Sequence, residues 1–344
     1  MLSKKLPKIN FIGNKDKIAS WICSYFPKKY SKVLDIFSGG ISISYEAKKL
    51  GYEVYSNDIL KVNYHLAHAL IENKENTLSQ DDVDLIFSGK PLKGFMYRNY
   101  KNVHFFSKEC MELDLYKKNI DKLKNNFKKS LALSLLRRSM IRKMPYSRFN
   151  ILWKKIIQLR DEEFSYKHYR RKRAYHNQSI KYHFLSNLKS YNEAIFDNKK
   201  NNKAFNLDVY EAIKKIKADI IYLDPPYTGT MNDYFSFYGL IDNYFTSKKN
   251  KRFKNSFIDK KESIKNFEKL FSRLKKFKYC FLSYNNQSYP TKEDLLKILK
   301  NNFKKVKLVE KKHNYQITGK NKKGTNTEFL FIIKMNDYKK KASQ

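Results

Sequence analysis

Residues 33–58, VLDIFSGGISISYEAKKLGYEVYSND, divide into four parts. VLDIF (33–37) is a short apolar run of strand length that stops at the pair Gly39-Gly40. Ser42 to about Leu50 follows as a helix. EVYSND (53–58) is a second strand, and it ends on an acid. Strand, glycine turn, helix, strand is a βαβ unit, and alternation of this kind implies a mostly parallel sheet covered on both faces. In such sheets ligands bind beyond the C-terminal ends of the strands. Glycines there let the backbone turn tightly and approach a ligand, while the next helix offers unpaired N–H groups. An acid about 20 residues past the glycines, ending the second strand, is placed to accept hydrogen bonds from ribose hydroxyls. The plainer alternatives are an ordinary strand-to-helix turn and a solvated acid at a strand end.

On the N-terminal side, Ile18, Trp21, Ile22 and Tyr25 fall on one helical face, with Asn14 as the expected N-cap. On the other side, HLAHALIEN (65–73) continues as helix. From about Asp84 to Lys203 the alternation stops, and a helical, strongly basic stretch takes its place. Alternation resumes with FNLDV (205–209), a helix near 210–217, DIIYLDPPY (219–227), a helix near 260–276, YCFLSYN (279–285) and a helix near 291–300. Two last strands, around 306–318 and 327–335, flank GKNKKGT (319–325), which has the composition of a hairpin turn. The expected architecture is therefore α/β: a Rossmann-like, mostly parallel sheet with an antiparallel C-terminal hairpin, plus an inserted, mainly helical basic module. The expected division is 1–84, the insert 85–202, and 203–344.

Lysine and arginine total 72 against 33 acids in 344 residues, a net charge of +39. An AT-rich genome would account for the lysines, but not for acids that fail to rise with them. So large an excess favours a polyanionic partner. A membrane surface suits it less, because no basic amphipathic helix stands out. No apolar run reaches the roughly 20 residues that span a bilayer. MLSKKLPKIN at the start has no hydrophobic segment behind it, so no signal peptide is expected. Cys23, Cys110 and Cys280 show no CxxC spacing, which fits a reduced cytoplasm and offers neither disulfide nor metal framework. His65 and His68 at i, i+3 read as a helix face rather than a metal site.

DIIYLDPPY climbs through apolar residues to Asp224, stops at Pro225 and Pro226, and ends on Tyr227. A carboxylate at a strand tip accepts hydrogen bonds, and a proline carbonyl there accepts another. Two prolines fix φ and so hold both acceptors in place. The tyrosine offers a flat face for stacking. Two acceptors and a ring suit a planar group with an exocyclic amine. Two hydrogen bonds from that amine would pull its nitrogen towards a nucleophilic geometry. The alternative is an Asp-Pro-Pro turn that closes a strand, with a buried tyrosine behind it.

FIGNK (11–15), DIFSGG (35–40), Asn57-Asp58, a basic insert and DPPY (224–227), in that order, resemble the Dam-type (class alpha) S-adenosylmethionine-dependent DNA N6-adenine methyltransferases. The likeness covers most of the chain and is strongest over 9–60 and 219–228. KGTNTEFLFI (323–332) is similar to the family's terminal hairpin. The resemblance implies that Phe11 and Lys15 belong to the motif closing over the cofactor. It puts Asp35, Phe37, Ser38, Gly39 and Gly40 in the turn around the cofactor, and makes Asp58 the ribose acid. It makes Asp224, Pro225, Pro226 and Tyr227 the catalytic motif, with Asp224 also facing the cofactor. Ile41 departs from the family, where another glycine is common.

The implied substrate is duplex DNA, with a cognate restriction endonuclease as a genetic partner and a cytoplasmic, nucleoid-associated location. MIRKMPYSRFN (140–150) resembles the recognition hairpin, with Arg142, Phe149 and Asn150 matching, although the usual glycine is missing. Arg137, Arg138, Arg142, Arg148 and Asn150, with Arg170, Arg171 and Arg173 of KHYRRKRAYH (167–176), are the expected DNA contacts. KKNKRFK (248–254) reads as a loop that meets DNA or closes on it. Adenine in structured RNA, cytosine N4, and a catalytically silent DNA-binding relative remain as rivals.

Overall fold

The structure, a computed structural model, describes residues 4–170, 176–226, 228, 233–252, 257–312 and 326–335. The chain forms two compact units. One comprises Ile12–Ile59, Asn198–Asn232 and Phe253–Gln344, and the other Met1–Phe11, Leu60–Asp197 and Asp233–Arg252.

The first unit holds a seven-stranded sheet with strand order β3-β2-β1-β4-β5-β7-β6. The strands are β1 (Lys32–Asp35), β2 (Glu53–Asn57), β3 (Lys203–Phe205), β4 (Ile220–Leu223), β5 (Tyr279–Asn285), β6 (Val306–Lys312) and β7 (Thr327–Lys334). The five strands β1 to β5 pair in parallel. β7 runs antiparallel to both β5 and β6. All four residues of β4 are buried, as a central parallel strand requires. Leu34, Ile221, Leu223, Leu282 and Phe331 pack against α11 (Val209–Lys215), α13 (Ser263–Ser272) and α14 (Lys292–Asn302). α1 (Ala19–Cys23) and α2 (Ser42–Lys49) pack on each other, and α2 also on β1 and β2. The strand order reverses between β1 and β4, which makes their shared C-terminal edge the switch point where open α/β sheets bind ligands.

Two local expectations shift. Asn14 does not cap α1: its side chain accepts the Asp16 amide N–H at 2.8 Å, a turn before the helix begins at Ala19. The third strand ends at Phe205, because Asp208 leaves it to cap α11 and accepts the Tyr210 N–H at 2.8 Å. β6 is described over Val306–Lys312, and the rest of the expected strand and the GKNKKGT turn lie outside the described residues.

The second unit is helical. It contains α3 (Lys61–Ala67), a π-helical turn (His68–Glu72), α4 (Gln80–Phe87), α5 (Phe95–Tyr100), α6 (Ser107–Lys122) and α7 (Asn126–Lys143). A 3₁₀ turn (Pro145–Ser147), α8 (Trp153–Arg160), α9 (Glu162–Tyr169), α10 (Ile180–Glu193) and α12 (Tyr234–Thr246) complete it. The unit starts at Leu60 and recruits α12 from beyond DPPY, so it is wider than the insert expected at 85–202. The reason is a cap made at a distance. Asp242 of α12 accepts the N–H groups of Lys61 and Val62 at 3.0 and 2.7 Å, satisfying the otherwise unpaired start of α3. Of the described helices, none is long and apolar enough to cross a membrane.

Candidate active site

β1 and β4 set the frame. Asp35 is in register with Tyr222, so Asp224 stands two residues past the point where Asp35 ends β1. The Ile36 N–H still reaches the Tyr222 carbonyl at 3.3 Å, and the chain then leaves the sheet. The Ser38 N–H bonds to the Asn57 carbonyl (2.9 Å), and the Gly39 N–H donates to the Asp58 carboxylate (2.9 Å). The Asn57 side chain donates to the carbonyls of Ile36 and Leu207, each at 3.1 Å, and accepts the Leu207 N–H at 3.1 Å. One amide thus pins the tips of three neighbouring strands. Asn206 donates to the Asp58 carbonyl at 2.8 Å. The glycine turn and the strand-end acid are therefore a single rigid piece.

Gly39 takes a left-handed φ of 46°, which needs no Cβ. Ile41 takes φ 58° and ψ 16°, left-handed as well, though it is β-branched and fully buried. That conformation costs on the order of 1–3 kcal/mol in a branched residue. Its hydrogen bond to the Ser38 carbonyl (2.6 Å) and its burial hold it there.

Asp35 is buried and accepts the Ser44 N–H (3.2 Å) and the Ser44 hydroxyl (2.7 Å), with Ser56 donating in turn to Ser44. Its Oδ1 and the Ser38 hydroxyl are buried without a hydrogen-bond partner among the described residues. Burial, with smaller contributions from Asp224 and Asp58, pushes the Asp35 carboxyl up to about 7 against the Ser44 bonds. A carboxyl whose folded pKa is raised holds its proton in the native state while the unfolded chain has lost it. Stability therefore falls as pH rises from about 4 to about 7. Asp35→Asn should flatten that slope and gain on the wild type at pH 8 relative to pH 5 in thermal unfolding. Parallel curves across that range would contradict the assignment.

Beside Asp35 lies an ionic group with a buried centre. The Lys15 ammonium is 3.2 Å from Asp224 Oδ1 and 3.3 Å from Glu328 Oε1. Lys15 is 3% exposed and Glu328 0%, while Asp224 keeps 20%. Asp224 thus turns the accessible edge of the trio outwards. Burial raises its pKa, and the Lys15 ammonium partly offsets this. The Tyr222 hydroxyl donates to Ser283 at 2.7 Å and braces β4 on β5 behind the motif.

The structure brings Lys15, Asp35, Ser38, Gly39, Gly40, Asp58, Asp224, Pro225 and Pro226 into the sheet unit. Phe37 is there too, edge-on to Phe257 at 5.9 Å. Phe11 belongs to the helical unit, where it stacks on Tyr234 (5.4 Å) and Tyr238 (5.1 Å). Tyr227 lies outside the described residues.

The expected DNA contacts divide. Arg137 is fully buried, donating to the Ile9 carbonyl at 2.8 Å under the Tyr238 ring, and Arg138 is buried with its Nε on Asn187 at 3.4 Å. Both are structural in the free protein and are withdrawn as DNA contacts. Arg142 is half-buried, Arg148 lies by the rings of Tyr146 and Phe237, and Asn150 and Arg170 are exposed. Arg171 and Arg173 lie outside the described residues, and the KKNKRFK segment is described only through Arg252. MIRKMPYSRFN is not a hairpin: α7 runs to Lys143 and a single 3₁₀ turn follows.

Glu328, Ser44 and Asn57 do not figure among the expected site residues. Glu328 did leave a signal, as an acid heading a strand (TEFLFIIK) whose core is apolar and buried. Ser44 left none, since one serine in a helix is common, and Asn57 stands in the Asn57-Asp58 pair, where only the acid has an expected role.

A glycine turn clamped to a strand-end acid thus lies beside an Asp-Pro-Pro tip at the reversal point of the parallel sheet. Residues 11–317 match the model of the D12 class N6 adenine-specific DNA methyltransferases. The chain is 54% identical to a type II methyltransferase of Haemophilus parahaemolyticus, M2.HphI, over 97% of this chain and 99% of that protein. It is 22% identical to M.CviAII of Paramecium bursaria Chlorella virus 1, over 89% and 92% of the two chains. It is 27% identical to the modification methylase StsI of Streptococcus sanguinis, over 89% of this chain and 48% of that one. The chain belongs to the D12 class N6 adenine-specific DNA methyltransferase family.

Proposed function

We propose that the protein transfers a methyl group from S-adenosylmethionine to N6 of an adenine flipped out of duplex DNA, as the modification enzyme of a type II restriction–modification system with a cognate endonuclease. The observation that carries this reading is the pairing of the Gly39–Asp58 clamp with the Asp224-Pro225 tip along one edge of the sheet. The residues present suit the donor. Asp58 is fixed to meet ribose hydroxyls, the Gly39-Gly40 backbone leaves room for close approach, and the Asp35 Oδ1 and Ser38 hydroxyl, without a partner among the described residues, offer buried acceptors. Bound there, S-adenosylmethionine supplies an electrophilic methyl on a cationic sulfur.

The protein's own groups do the rest. Asp224 and the Pro225 carbonyl accept the two N6 hydrogens and localise the nitrogen lone pair, and Asp224 takes the proton that is released. Tyr227 stacks on the base and offsets part of the few kcal/mol that extrusion costs. Arg142, Arg148, Asn150 and Arg170 meet the DNA. Direct displacement suits the cysteines as well. Cys23, Cys110 and Cys280 are all buried, and burial pushes each thiol up, away from a nucleophilic thiolate.

Long-read mapping of modified bases in DNA from a host expressing the gene should show N6-methyladenine at one short sequence. N4-methylcytosine, or no modified motif, would overturn the proposal. Asp58→Asn turns an amide towards the Gly39 N–H and removes a charge-assisted acceptor. It should weaken S-adenosylmethionine binding by roughly 10–100-fold, as read by calorimetric titration. An unchanged Kd would remove Asp58 from the cofactor site.

A further inference from the structure

We propose that Glu328 is a positioning residue for methyl transfer: it shares the Lys15 ammonium with Asp224 and so keeps the Asp224 carboxylate able to take the N6 proton. This rests on the function proposed above. Lys15 stands almost midway between the two carboxylates, at 3.2 and 3.3 Å. One ammonium between two carboxyl groups divides its attraction between them. Glu328 is held where it is by strand register. It faces Asn285 at the end of the β5–β7 ladder and Lys311 across β6, and it is wholly buried. A buried carboxylate is costly unless paired, and a partner fixed by a ladder cannot swing away. Among the described residues, Lys15 of the entry segment acts on Asp224, Asp224 in turn acts on Asp35 of β1 and Tyr222 of β4, and Glu328 of β7 also acts on Tyr222.

The chemistry needs this balance. As the N6 lone pair forms the new N–C bond, the S–C bond breaks and its electron pair stays on sulfur. N6 then carries a positive charge and releases a proton. Asp224 accepts that proton as a carboxylate, and passes it to solvent across its exposed edge. If Lys15 were committed to Asp224 alone, the carboxylate would be a weaker base.

The test is the single-turnover rate of methyl transfer to an adenine-containing duplex, measured against pH for wild type, Glu328→Gln and Glu328→Asp. Glu328→Gln removes a like charge and frees Lys15 for Asp224. Its acid limb should move to lower pH, and its plateau should fall by roughly 10–100-fold. Glu328→Asp withdraws the charge by one methylene and should move the limb the same way by less; it gives the reading if Glu328→Gln does not fold. A Glu328→Gln limb that coincides with the wild-type limb, at any plateau, overturns the role of Glu328, as does an unmoved Glu328→Asp limb where only that variant folds. Wild type that transfers nothing to N6 defeats the proposed function instead, so the two failures are distinguishable.

Discussion

Asp224→Asn is expected to lower the single-turnover rate of methyl transfer by about 10²–10³-fold, about 2.7–4 kcal/mol of transition-state stabilisation, while duplex binding in gel-shift assays is unchanged. The carboxylate is the one group of the ionic trio with an accessible edge, at 20% exposure. An asparagine there turns a neutral amide to the amine, weakens the acceptor and cannot take a proton. The scaffold should tolerate the change, because Lys15 keeps Glu328 at 3.3 Å and no cation is left buried and unpaired. Pro225 and Pro226 still fix the backbone. Loss of DNA binding in step with activity would mean that Asp224 supports the fold rather than the reaction.

The largest expected effect on stability lies in the helical unit. Glu109 sits in the first turn of α6 and accepts two bonds from Arg160, at 2.6 and 3.0 Å, with the Lys143 ammonium 2.9 Å away. Lys143 also donates to the Gln178 carbonyl at 2.7 Å, and Glu109 accepts the Phe106 N–H at 3.0 Å. One carboxylate therefore joins α6, the end of α7, the end of α8 and the approach to α10. Glu109→Gln leaves two buried cations without their anion and should cost about 3–5 kcal/mol in denaturant unfolding at pH 7. Burial pushes the Glu109 carboxyl up, but Arg160 and Lys143 more than reverse this, and its pKa lies below the ordinary 4.5. A depressed carboxyl stabilises the fold above its unfolded pKa. That contribution should fade as pH falls below about 4.5 through the lower folded value, and it should be missing from the variant. A loss under about 1 kcal/mol would put the trio among ion pairs of little consequence. The segment between α7 and α8 carries Arg148 and Asn150, so the same variant should also weaken DNA binding.

Much of this was legible in the chain. β4 announces itself because a central parallel strand is apolar throughout, β1 and β5 by shorter apolar runs, and the strand tips because glycine, acid and proline each end a strand for a local reason. Asp58 and Asp224 each stand one residue past the end of a parallel strand, where the runs before them imply. What escaped was made by distant residues. α12 follows DPPY in sequence, but its Asp242 caps α3, and nothing in YFSFYGLIDNYFT says so. Lys15 and Glu328 meet from opposite ends of the chain, and Glu109 finds Lys143 and Arg160 across three helices. The misplacement of Arg137 and Arg138 had a readable cause. LALSLLRRSMI is apolar on nearly every side, and a helix of that kind is buried, arginines included. Charge alone suggested DNA, and the periodicity around it pointed inwards.

The most direct measurement is nucleoside mass spectrometry of a duplex treated with the purified protein and S-adenosylmethionine carrying a deuterated methyl. The proposed grip of Asp224 and Pro225 on an exocyclic amine predicts the label on adenine N6, present with wild type and lost with Asp224→Asn. Label on cytosine, on a ring carbon, or undiminished in Asp224→Asn would contradict it.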